Sequence, residues 1–110
     1  MAHDIYSYNQ SGEEVSYIRF TMGDMNAALF YRLLGAEKYN AGVSGCGQYT
    51  TLSLHQMEKA LDSFKELKEP EYVNVESMDF LKWQRNEMLK FIKNSLKTAQ
   101  KEGKVEVYFG

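Results

Sequence analysis

One segment concentrates the residue types that chemistry most often uses: Gly42-Val43-Ser44-Gly45-Cys46-Gly47-Gln48-Tyr49-Thr50. It crowds three glycines into six positions and holds the sole cysteine, with His55 following shortly after. Glycine-rich backbone ahead of a helix N-terminus can turn its N–H groups toward an anion, and the helix dipole adds to that field. A P-loop, however, needs Gly-Lys-Ser/Thr immediately before its helix, and no lysine lies between Lys38 and Lys59. The dinucleotide fingerprint fails too, because Thr50 stands where the third glycine belongs and no buried parallel strand precedes it. The plainer role for Gly42, Gly45 and Gly47 is to satisfy tight turns.

Cys46 lies between two glycines, an accessible setting, and a thiol near a helix N-terminus or a histidine can have a lowered pKa. His55 falls in the first turn of the next helix. A Cys46–His55 pair supports nucleophilic catalysis only when a third group orients the imidazole, and no signature of thiol enzymes surrounds this cysteine. Soft metal ligands number Cys46, His3 and His55, scattered without Cys-x-x-Cys or His-Glu-x-x-His spacing, so neither metal nor cofactor is expected. Glu69, Glu71, Glu76 and Asp79 lack the calcium-loop pattern and read as a solvated linker. No carboxylate pair sits in an apolar setting that would split its pKa values, so general acid–base chemistry has no candidate. Arg19 and Arg32 could face the glycine-rich segment and bind an anion, although each also suits a surface position with a packed stem. The candidate ligand-binding set is therefore Gly42, Ser44, Gly45, Cys46, Gly47, Arg19 and Arg32, with Cys46 and His55 as the catalytic alternative.

The elements that must position these residues follow from patterning. Asp4–Tyr8 and Glu14–Phe20 favour strands, and Asn9-Gln10-Ser11-Gly12 supplies turn chemistry, giving a β-hairpin. Its second strand alternates Ser16, Ile18 and Phe20 with Val15, Tyr17 and Arg19, so both faces look partly covered. Asp24 caps a helix over Met25–Leu34, in which Met25, Leu29 and Leu33 share a face, and Gly35 suits its left-handed end. An irregular stretch, Ala36 to Leu52, is long enough to suggest a functional loop. Ser53 and Gln56 form a capping box for a helix reaching Leu67, and Pro70 stops it. Ser77 caps a long helix, Met78 to about Lys101, whose stripe Leu81, Met88, Ile92 and Leu96 is widened by Trp83, Leu89 and Phe91. Gly103 ends it, and Lys104–Phe109 alternates as a third strand. Hairpin, three helices and C-terminal strand predict one α+β domain, residues 1–110, with a small sheet packed against helices in two layers.

Composition sets the remaining bounds. Hydrophobic residues make up 44% and charged residues 25%, the balance of a chain that folds alone. A single cysteine excludes an intramolecular disulfide and suits a reducing compartment. The N-terminus lacks the basic start and apolar run of a signal peptide and no eighteen-residue apolar stretch occurs, so a cytoplasmic protein without a membrane span is expected. A net charge of −2 argues against nucleic acid as a partner. Lys90, Lys93, Lys97, Lys101 and Lys104 fall on one helical face, best read as a solvated face.

Asp4-Ile5-Tyr6, Tyr17-Ile18-Arg19-Phe20-Thr21, Ala60-Leu61 and Val105-Glu106-Val107 together resemble a loose group of small uncharacterised bacterial and phage proteins that open with an Asp-Ile strand. The resemblance implies an accessory intracellular protein and assigns no functional residue. Taken together, the residues point to a non-enzymatic domain that contacts a protein or small molecule through loop 36–52. The rivals are a small thiol-dependent or anion-processing enzyme, and a homodimer paired through an exposed aromatic face.

Overall fold

The computed structural model describes residues 2–68 and 75–110, the side chains of 75–77 excepted. Along the chain run β1 (Ala2–Tyr8), β2 (Glu14–Thr21), α1 (Met25–Leu33), a 3-10 turn (Glu37–Tyr39), β3 (Gln48–Ser53), α2 (Leu54–Lys65), α3 (Val75–Glu102) and β4 (Lys104–Phe109). The four strands form one antiparallel sheet in the order β2-β1-β4-β3, and the helices cover one of its faces. The architecture is α+β in two layers.

Alternation decides which side of each strand is buried. His3, Ile5 and Ser7 of β1, Ile18 and Phe20 of β2, Leu52 of β3 and Val105, Val107 and Phe109 of β4 all point inward. They meet Phe30, Tyr31 and Leu34 from α1 and its end, Met57 and Ala60 from α2, and Met88, Phe91, Ile92, Leu96 and Ala99 from α3. Burying this many large side chains, each contributing about 1.5–3 kcal/mol, holds the two layers together. Polar pins add direction. Ser95 Oγ donates to Ser7 Oγ at 2.8 Å beneath β1, and Asn26 Nδ2 donates to Gln84 Oε1 at 2.6 Å, joining α1 to α3.

The caps read from sequence form as expected at two helices. Asp24 accepts from the Asn26 amide at 2.8 Å, and Ser53 and Gln56 exchange hydrogen bonds of 3.1 and 2.9 Å in a reciprocal capping box. Gly35 and Gly103 follow α1 and α3 with φ of +65° and +85°, a conformation other residues adopt at a cost. α3 starts at Val75, so Ser77 lies inside the first turn rather than ahead of it. Pro70, Glu69 and Glu71, and the side chains of Glu76 and Ser77, lie outside the described residues.

Three further expectations are corrected. Residues 48–52 belong to strand β3, so the irregular stretch is shorter than 36–52 and the C-terminal strand is the fourth. Trp83 is 56% exposed and Met25 88%, so neither joins the core stripe assigned to its helix. Among the described residues no layer covers the outer face of β2, and Tyr17 and Arg19 stand exposed.

Candidate functional site

The glycine-rich segment hangs between the turn at Glu37–Tyr39 and β3, against the end of β4. Five of the seven amide groups from Ala41 to Gly47 already donate within the protein. Ala41 donates to Ser44 O at 2.9 Å, Gly42 to Asn40 Oδ1 at 2.8 Å, Gly45 to Gly110 O at 2.8 Å, Cys46 to Tyr39 O at 3.0 Å and Gly47 to Phe109 O at 2.7 Å. A cradle for an anion needs free N–H groups, and those committed to internal acceptors supply no such field. Gly45 is glycine for a steric reason: a Cβ there would stand 2.6 Å from both the carbonyl carbon and oxygen of Phe109. Its value to the chain is close approach to β4.

A buried histidine holds the segment from beneath. His3, with 1% exposure, reaches Gly42 O through Nε2 at 3.1 Å, and because a carbonyl only accepts, Nε2 carries the proton. In the neutral ring Nδ1 is then the acceptor, and the Tyr31 hydroxyl donates to it at 2.9 Å. Burial of Tyr31, and next the charge of the nearby Cys46 when ionised, push the Tyr31 hydroxyl up to about 12. Tyr31 and Tyr39 both stack on Phe109, at 5.3 and 5.0 Å. His3, counted in sequence only among possible metal ligands, is therefore the pin of the loop.

The other candidates are dispersed. Cys46 is exposed before β3, whereas His55 is exposed after it, so the strand holds them on the order of 20 Å apart. Arg19 lies on the outer face of β2 with its Nε 3.9 Å from Asp4 Oδ1, and β1 and β4 intervene between it and the glycine-rich segment. Arg32 borders a shallow depression with Gly35, Gln56 and Lys59, between α1 and α2. Ser44 donates its hydroxyl to Gly45 O at 2.9 Å. Among the described residues no three His, Cys, Asp or Glu side chains are grouped to hold a metal ion.

Chemistry-bearing side chains gather instead on the sheet face that no described helix covers. Strand register places Tyr17 opposite Tyr6, Tyr6 opposite Tyr108, and Tyr108 opposite Tyr49, so one row of tyrosines crosses all four strands. The ring centroids lie 4.7 Å apart for Tyr6–Tyr17, 6.4 Å for Tyr6–Tyr108 and 4.6 Å for Tyr49–Tyr108. Tyr8 closes the cluster, 6.2 Å from both Tyr6 and Tyr49. Cross-strand aromatic pairs of this kind each contribute about 0.2–1 kcal/mol, so the row stabilises the sheet as well as presenting a surface.

The surroundings of the row differ in charge. At one end the Tyr17 hydroxyl donates to Asp4 Oδ1 at 2.6 Å, beside Arg19, and partial burial, this hydrogen bond and the Asp4 charge push Tyr17 up to about 12. Beside the row, two residues further along the strands where Tyr8, Glu106 and Thr51 are in register, Tyr8, Asn9, Gln10, Thr51, Glu102, Lys104 and Glu106 line a cleft of about 150 Å³. Glu102 accepts from the Gln10 amide at 2.7 Å. Partial burial first, then Tyr49 and Glu14, raise the pKa of Tyr8. Negative charge prevails around the cleft, where Glu102 and Glu106, with Glu14 opposite Tyr8, are set against Lys104.

The signal that could have found this face is the placement of Tyr6, Tyr8, Tyr17, Tyr49 and Tyr108 at outward positions of period-two segments. No family model, curated protein or solved structure matches the chain. No described helix is long and apolar enough to cross a membrane.

Proposed function

We propose that the protein is a non-enzymatic interaction domain that binds a short, basic segment of a partner protein on its tyrosine-lined sheet face. The observation that carries this reading is the row of Tyr17, Tyr6, Tyr108 and Tyr49 on the sheet face that no described helix covers, flanked by a cleft edged by Tyr8, Glu102 and Glu106. Tyrosine offers a large contact area with few rotatable bonds and a hydroxyl for polar contacts, which is why it is enriched at binding surfaces. A lysine or arginine entering the cleft would meet carboxylates and the faces of tyrosine rings together.

Size supports a segment over a globular partner. Four strands about 4.8 Å apart and six residues of about 3.3 Å each give a face of about 400 Å². A standard protein interface needs about 800 Å² per side. The same shortfall disfavours a second copy laid face to face. The alternative thiol enzyme gains nothing from a placement in which β3 holds Cys46 and His55 apart.

Selection of a displayed peptide library on the pure protein tests the reading. Enriched peptides should be basic, should bind more weakly as salt rises, and should lose about tenfold or more in affinity with Tyr49→Ala or Glu106→Lys. Cys46→Ser should leave binding unchanged. Peptides of acidic or apolar composition, or amide shifts confined to residues 41–47, would sink the proposal.

A further inference from the structure

Five of the seven large hydrophobic side chains exposed among the described residues, Tyr17, Met22, Met25, Phe80 and Trp83, come from β2, the turn after it, the start of α1 and the first half of α3. Hydrogen bonds from Asn26 to Gln84 and from Gln84 to Asp24 draw the start of α1 onto α3, which sets Met25 near the turn that carries Phe80 and Trp83. The Phe80 and Trp83 rings lie 6.1 Å apart. Trp83 then borders a groove of about 220 Å³ with Tyr17, Ile18, Arg19, Gln84 and Glu87, running between α3 and β2. At about 200 Å² per large side chain, the exposed parts of the five amount to about 600 Å², the scale at which an apolar patch marks an interaction site.

The strand beside this patch is an open edge. Among the described residues β2 has only β1 for a neighbour, and its eight residues contain no proline, so a row of its backbone N–H and C=O groups points outward with no described strand beside it. The opposite edge, β3, is six residues long and polar, with Thr50 and Thr51 in its centre. Only the β2 edge combines an unpaired backbone with an apolar flank.

We propose that this region is a homodimer interface, in which β2 pairs antiparallel with β2 of a second copy while Trp83 and Phe80 of each protomer pack over the groove of the other. Pairing a strand antiparallel with its own copy generates a two-fold axis, so inward Ile18 and Phe20 stay on the helix side and outward Tyr17 and Arg19 on the open side. The groove between the two layers is lined by Tyr17, Arg19, Trp83 and Glu87 among others, so it offers apolar and polar contacts to a second copy. Patch and strand edge together approach the roughly 800 Å² per partner of a standard interface. The resulting eight-stranded sheet carries the tyrosine row twice. The proposal does not depend on what the tyrosine face binds.

Sedimentation equilibrium of the full chain from about 1 μM to about 1 mM tests it. Wild type should dimerise, Trp83→Glu should raise the dissociation constant more than about thirtyfold, and Met25→Glu should act in the same direction with circular dichroism unchanged. Amides of Glu14–Thr21 that point outward should exchange more slowly in the dimer than in the Trp83→Glu monomer. A wild type that stays monomeric throughout overturns the proposal. So does a dimer that tolerates both substitutions, or one that leaves β2 exchange unaltered. Should Trp83→Glu fail to fold, Met25→Glu decides alone, since Met25 is 88% exposed and touches no core layer.

Discussion

In the glycine-rich segment, amides that resemble an anion cradle already donate to Tyr39, Asn40, Ser44, Phe109 and Gly110. On the open face of the sheet, tyrosines far apart in sequence stand side by side with their outer surfaces uncovered. The two regions invert what their compositions suggest. Glycines crowd where backbones must approach closely, as at Gly45 against Phe109, and close approach uses up the groups a ligand would need. The tyrosines of this face pack ring against ring in stacked or tilted pairs while presenting their outer sides, and Tyr17 also donates its hydroxyl to Asp4. A region rigidly bonded to its own fold and a region bonded mainly to itself respond to mutation in opposite ways.

The contrast can be broken first at Gly45. Gly45→Ala places a methyl 2.6 Å from backbone that cannot yield, so urea unfolding should show a loss of roughly 3 kcal/mol or more. A loss within the range of an ordinary surface change would mean the segment is not fastened to β4. Next in size is His3→Ala, which leaves Gly42 O and the Tyr31 hydroxyl without partners and opens a cavity. The expected cost is about 2–3 kcal/mol in the same assay, with faster amide exchange across residues 41–47.

Tyr31 sharpens the comparison through pH. Its proton is held to about 12 in the folded protein against 10.0 in an unfolded chain, so the folded state binds that proton more tightly. The resulting stability is complete below pH 10 and is lost as pH rises through 12. The urea midpoint should fall across that window, and Tyr31→Phe should flatten the fall while lowering stability at pH 7. Tyr17 titrates in the same range but contributes less, because it is 41% exposed.

Smaller effects belong to the open face. Tyr49→Ala should cost no more than about 1 kcal/mol of stability, the value of a cross-strand aromatic pair, while removing most peptide affinity. Equal losses of both would make the row structural alone. Cys46→Ser should change stability by less than about 0.5 kcal/mol, since the thiol is exposed.

Much of the fold was legible because local signals agreed. The hairpin, the Asp24 cap, the Ser53–Gln56 box and the alternation of β4 each rest on residues within a few positions of one another. β3 escaped because Gln48-Tyr49-Thr50-Thr51-Leu52-Ser53 has just one buried apolar side chain, Leu52, and glycines before it. An edge strand with a polar flank gives little period-two contrast. Trp83 and Met25 were assigned to core stripes because helical spacing tells which residues share a face, not where the partner layer ends. α3 is 28 residues long, and among its described side chains the buried large apolar ones begin at Met88.

By itself the sequence determined the α+β class, the order of most elements and the caps that delimit them, since propensity, periodicity and capping act over one or two turns of chain. Only the tertiary structure decided that His3 pins Gly42, that Cys46 and His55 lie at opposite ends of a strand, and that five tyrosines share a surface. The physical reason is register. Antiparallel pairing of β1 with β2 and with β4, and of β4 with β3, sets which residues from the beginning, middle and end of the chain become neighbours. That alignment is a property of the packed sheet rather than of any one segment.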